Sequence, residues 1–126
     1  MDSIRRMLAA FALLVAMSPA AHALDLFTTA SETTNGSQFS CVIVNVGTRP
    51  IEVSATLQSY WDGSDISAGT TCQGTLAPGA GCNTAGSSSG AQTGYCHFTT
   101  TSSKVRAGLL VYNSSYEVTS TLPATK

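Results

Sequence analysis

The clearest pattern along the chain is the period of two over Ile51–Tyr60 (IEVSATLQSY). Ile51, Val53, Ala55 and Leu57 alternate there with Glu52, Ser54, Thr56 and Gln58. Such alternation gives a strand one apolar and one polar face. Gln38–Val46 (QFSCVIVNV) is apolar on both faces around Cys41–Val44, which predicts a central strand. Gly47-Thr48-Arg49-Pro50 joins the two segments, and Pro50, lacking an N–H, is confined to the start of the second strand. The pair is expected to form a hairpin. Gly94–Thr100 alternates Tyr95, His97 and Thr99 against Cys96, Phe98 and Thr100, and Val105–Tyr112 places Val105, Ala107, Leu109 and Val111 on one face. After an Asn113-Ser114-Ser115 turn, Tyr116–Leu122 is expected to set Tyr116, Val118 and Leu122 on one side. A first strand is expected over Leu24–Thr29, and short strands flank Leu76–Gly81. Seven or eight short strands separated by Gly, Pro, Asn and Ser predict an all-β antiparallel sandwich. No segment after residue 23 sustains an apolar period of 3.6, which excludes a helical fold.

The N-terminal segment reads differently. Arg5 and Arg6, the apolar run Met7–Met17 and Ala21-His22-Ala23 fall in the order of a secretory signal with its cleavage site, so residues 1–23 are expected to be removed. Eleven apolar residues are too few to span a bilayer, and no retained membrane anchor is expected. The 103 residues over 24–126 suit one domain. Their charge is −2, from Arg49, Lys104, Arg106 and Lys126 against Asp25, Glu32, Glu52, Asp62, Asp65 and Glu117. No basic run exists to neutralise phosphates, so nucleic acid is a poor partner. Ser and Thr supply 32 of these 103 residues, a composition that favours strands and export.

All four cysteines, Cys41, Cys72, Cys82 and Cys96, follow the signal. An even number in a small exported chain predicts two disulfides and a periplasmic or extracellular location. Zinc is disfavoured because the gaps of 30, 9 and 13 residues contain no C-x-x-C pair and offer only His97 as a further soft ligand. Of the three possible pairings, the expected one joins Cys72 to Cys82 as a local clasp on the Leu76–Gly81 turn, and Cys41 to Cys96 between distant strands. The long bridge resembles the inter-sheet bridge of immunoglobulin domains. Trp61, twenty residues after Cys41, and Tyr95, adjoining Cys96, both depart from the antibody pattern.

Val44–Val53 (VNVGTRPIEV) resembles the opening of immunoglobulin-like, PapD-related domains of bacterial exported proteins, with their Asn-x-Gly-Thr-x-Pro turn before an alternating strand. Leu76–Cys82 (LAPGAGC) is similar to their Pro-Gly turn before a cysteine, and Val105–Val111 falls where a late strand is expected. The resemblance covers about Gln38–Tyr112 and implies an immunoglobulin-like sandwich. It departs after Cys82, where Asn83–Gly90 (NTAGSSSG) reads as flexible and polar instead of as a strand. Its motifs specify turns and leave function open.

Chemistry-bearing residues are few. His97 is the one histidine after the signal, no G-x-S-x-G elbow is present, and Ser87-Ser88-Ser89 reads as a solvated loop. Asp62 and Asp65 are the only close carboxylates; they suggest a capped turn more than a calcium loop, which needs further oxygens. Asn35-Gly36-Ser37 and Asn113-Ser114-Ser115 read as turns. No cofactor or metal is expected. Strand parity points Trp61 into the core and Tyr60 outward. The contrasting reading makes Tyr60, Trp61, Tyr95 and Tyr112 an aromatic surface for a sugar or peptide. The expected function is a non-enzymatic binding or structural module at the cell envelope or outside the cell, for a protein or glycan. The alternative is a small hydrolase, or a hydrolase inhibitor using the 72–82 loop.

Overall fold

The computed structural model describes residues 22–34, 36–87 and 91–126. The expected signal, residues 1–23, lies outside them apart from its last two positions. Among the described residues there are ten strands: β1 (Leu24–Phe27), β2 (Ser31–Glu32), β3 (Gln38–Asn45), β4 (Ile51–Ser59), β5 (Ser67–Thr70), β6 (Gln73–Leu76), β7 (Gly81–Gly86), β8 (Thr93–Thr100), β9 (Val105–Tyr112) and β10 (Val118–Pro123). They form two antiparallel five-stranded sheets. The first runs β1-β8-β4-β6, with β2 also paired to β8; the second runs β10-β9-β3-β7-β5. The all-β sandwich with two disulfides is as expected. The strand number is higher because β2 and β5 are too short to announce themselves by alternation.

The core is what alternation places between the sheets. Ile51, Val53, Ala55 and Leu57 of β4 and Phe98 of β8 face Phe39, Ile43, Leu109 and Val111 of the second sheet. Burying each large side chain contributes roughly 1.5–3 kcal/mol. The Cys41–Cys96 bridge passes through this layer and ties β3 to β8. Thr84 adds a polar tie: its hydroxyl donates to the Ala55 carbonyl of the opposite sheet at 2.8 Å and meets the Thr70 hydroxyl at 2.6 Å. One edge is closed where Phe27 and Thr125 exchange backbone hydrogen bonds of 2.8 and 2.9 Å.

Three expectations are corrected. β3 and β4 are not a hairpin: β3 pairs with β7 and β9, and β4 pairs with β6 and β8. A hairpin would set their apolar faces side by side, whereas crossing between sheets makes those faces cover each other. Asn45, fully buried, braces the crossing, with its amide donating to the Arg49 and Leu76 carbonyls and its Oδ1 accepting the Gly47 N–H. Asn83–Gly86 is not flexible but completes β7, an interior strand. Its small residues are required there, since a Cβ on Gly86 would fall 2.6 Å from Leu57 Cδ2. Ser88, Ser89 and Gly90 lie outside the described residues. Tyr116 and Val118 do not share the face of Leu122, because a register shift between Val118 and Ser120 changes the parity of β10. The Cys72–Cys82 clasp closes over the Leu76–Gly81 turn as expected, and that turn carries the chain from β6 in one sheet to β7 in the other.

Candidate functional site

β4 ends at Ser59, and the chain then turns sharply. Ser59 donates its N–H to the Ser64 carbonyl at 2.8 Å, and Gly63 donates to the Ser59 carbonyl at 2.9 Å. Gly63 takes φ +69°, a conformation that costs a side-chain-bearing residue more than glycine. Asp62 Oδ1 accepts from the Ser64 N–H and hydroxyl, and Asp65 Oδ1 from the Ser67 N–H. The Ser64 backbone and hydroxyl donors hold the Asp62 carboxyl below the ordinary carboxylate range, and the Ser67 hydroxyl and N–H do the same for Asp65. Both carboxylates are therefore turn caps, as expected. Among the described residues, no group of three or more His, Cys, Asp or Glu is placed to hold a metal ion.

The turn redirects Trp61. It is 78% exposed, not buried, because strand parity ends with β4 and position 61 already belongs to the loop. Tyr60 is 55% exposed and meets Trp61 edge-on, with ring centroids 5.2 Å apart. Beside Trp61 lies a cavity of about 380 Å³, walled by Ser59 of β4, Ile66, Glu32 of β2 and Gln92 and Thr93 at the start of β8. Its frame is fixed by backbone bonds. Thr33 N–H donates to the Gln92 carbonyl at 2.8 Å, Gln92 N–H donates to the Thr33 hydroxyl, and Tyr60 N–H donates to the Thr93 carbonyl. Gln92 Oε1 is buried and has no hydrogen-bond partner among the described residues. A buried acceptor left in that state costs about 1–3 kcal/mol.

The other expected aromatics do not join this pair. Tyr95 lies on the outer face of the first sheet, 6.4 Å from the ring of Phe27. Its hydroxyl reaches to within 3.9 Å of where a Gly63 Cβ would stand. Tyr112 is on the outer face of the second sheet, near Tyr116. His97 stacks on Phe27 at 4.4 Å and bonds Asp25 through Nε2 at 2.8 Å. Sequence reasoning passed over Phe27, although LDLF already places it on the face of Asp25. It also missed Glu32 and Gln92, which no local pattern distinguishes.

Triad chemistry would require a hydroxyl hydrogen-bonded to His97 opposite Asp25; none occurs among the described residues. The 72–82 segment offers a four-residue turn, Ala77–Ala80, knitted to the body by Gly79 and Asn45 backbone bonds. Ala, Pro and Gly there give little side chain to fill an enzyme's pocket. Compared with protein-family models, curated proteins and solved structures, the chain gives no match. The fold and geometry therefore define the class, a disulfide-linked β-sandwich with an exposed aromatic pair at one end.

Proposed function

We propose that this chain is an exported, non-enzymatic glycan-binding module, of the sandwich kind its turn motifs resemble, acting in the periplasm or outside the cell. The observation that carries this reading is Trp61, 78% exposed beside a cavity whose wall mixes polar and apolar side chains. A flat indole stacks on the C–H face of a sugar ring, and its exposure otherwise has no packing use. Ser59, Thr93 and Gln92 supply hydroxyl and amide partners for sugar hydroxyls, and the cavity suits one or two sugar units. The two disulfides fit an oxidising compartment.

Trp61 is the chain's single tryptophan, so its fluorescence reports the site directly. Titration with neutral oligosaccharides should shift and saturate that emission. In a glycan array with labelled protein, Trp61→Ala should lose at least about tenfold in affinity, the equivalent of roughly 1.4 kcal/mol, with its circular dichroism unchanged. Retained glycan binding by Trp61→Ala, or no emission response across the panel, defeats the reading.

A further inference from the structure

The opposite end of the sandwich has its own cleft, of about 470 Å³, between the Val46–Pro50 and Thr101–Lys104 connections. Arg49 and Lys104 both line it, and no carboxylate does. The two connections are fastened together by the Val46 N–H donating to the Lys104 carbonyl at 3.1 Å. Buried Asn45 holds the Arg49 carbonyl at 2.8 Å, which fixes the backbone from which that guanidinium projects. Gly47 brings the lysine close: a Cβ at position 47 would stand 3.3 Å from Lys104 Cβ.

Two hydroxyls of the cleft serve the backbone as acceptors. Thr101 Oγ1 accepts the Glu52 N–H, and Ser102 Oγ accepts the Lys104 N–H. Each O–H thus keeps its proton for another acceptor. The wider charge distribution agrees. Of the four cations among the described residues, Arg49, Lys104 and Arg106 sit at this end. Four of the six carboxylates, Glu32, Asp62, Asp65 and Glu117, sit at the Trp61 end, while Glu52 and Asp25 lie toward the cationic end, Glu52 with its carboxylate turned to the Thr75 hydroxyl. A net charge of −2 conceals this separation, which would turn the cationic end toward an anionic partner.

We infer that this cleft is a second binding site, for a tetrahedral oxyanion of the phosphate-ester class. Arg49 supplies a planar two-pronged donor, Lys104 a compact charge, and Thr101 and Ser102 neutral O–H donors. The site is independent of Trp61 and of the glycan reading.

The test follows amide resonances of 15N-labelled protein at low ionic strength. Inorganic phosphate and glycerophosphate are the soluble probes. Phosphatidylglycerol vesicles, against phosphatidylcholine vesicles, are the lipid probe in a sedimentation arm. Saturable shifts confined to residues 46–50 and 101–104, relieved by added sodium chloride, are expected. Arg49→Gln with Lys104→Gln should weaken binding at least about tenfold, and Trp61→Ala should leave it unchanged. Both cations are exposed, so the double variant should keep its native amide dispersion. Sedimentation with phosphatidylglycerol alone assigns the phosphate to lipid, whereas soluble binding without sedimentation assigns it to a free or polymeric ester. The inference is overturned by no saturable shift in any arm, or by shifts that survive in the double variant. It is equally overturned by shifts that follow protein concentration instead of phosphate, which would mean that the acidic end of a second copy occupies the cleft.

Discussion

Asn45→Ala should be among the costliest single substitutions of a polar residue in this protein. The Asn45 side chain is fully buried and makes three hydrogen bonds, of 2.8, 3.0 and 2.9 Å, to the Arg49 and Leu76 carbonyls and the Gly47 N–H. Leu76 is buried, so its carbonyl loses a partner where water cannot replace it, at about 1–3 kcal/mol. Arg49 and Gly47 are more open, and water recovers part of those bonds, leaving about 0.5–1.5 kcal/mol for each. The sum is about 4 kcal/mol, a large share of the roughly 5–15 kcal/mol typical of a domain. At a urea slope of roughly 1–3 kcal/mol per molar, the unfolding midpoint should fall by about 2 M. Asn45→Asp sharpens the test. The carboxylate keeps the bond from Gly47 but turns negative charge toward two carbonyl oxygens, which raises its folded pKa. Its penalty should therefore shrink on acidification, as the protonated acid regains one donor. A midpoint shift in Asn45→Ala no larger than a surface substitution gives, about 0.5 kcal/mol, would refute the claim that this side chain holds the crossing between the sheets.

Three further outcomes are expected. Replacing Cys41 and Cys96 by Ala should cost about 4 kcal/mol and replacing Cys72 and Cys82 about 3 kcal/mol, because the longer loop restricts the unfolded chain more; equilibrium denaturation of both double variants checks the order. Gly86→Ala should cost about 1–3 kcal/mol by overpacking Leu57, while Gly69→Ala, with nothing within 4 Å of the new Cβ, should be near neutral in the same urea titration. Because Asp62 and Asp65 have lowered folded pKa values, the stability they give is present above the unfolded carboxylate value and disappears as pH falls through the folded ones; Asp62→Asn with Asp65→Asn should flatten the Tm–pH curve below about pH 4, and an unchanged curve would show that the caps do not operate.

Period-two alternation in β4, β8 and β9 was sufficient to separate the core-facing from the outward residues of those strands, because a strand's faces are set locally by its backbone geometry. The disulfide pairing was legible for a related reason: Cys41 and Cys96 lie in apolar strands, and Cys72 and Cys82 flank a turn. Only the tertiary structure decided which strands pair, since the pairing of β3 is settled by competition among distant partners. It also decided the character of β7, whose Gly and Ala look like loop residues until Leu57 is seen to need the space. Trp61 and Val118 were beyond reach because one turn and one register shift each reset the parity on which the sequence reading depends. Both candidate sites belong to that second category. Glu32 and Gln92 meet Trp61, and Arg49 meets Lys104, across 29 to 55 positions of sequence. Neighbourhoods at the ends of a sandwich are made by loops from different strands, and no local periodicity encodes them.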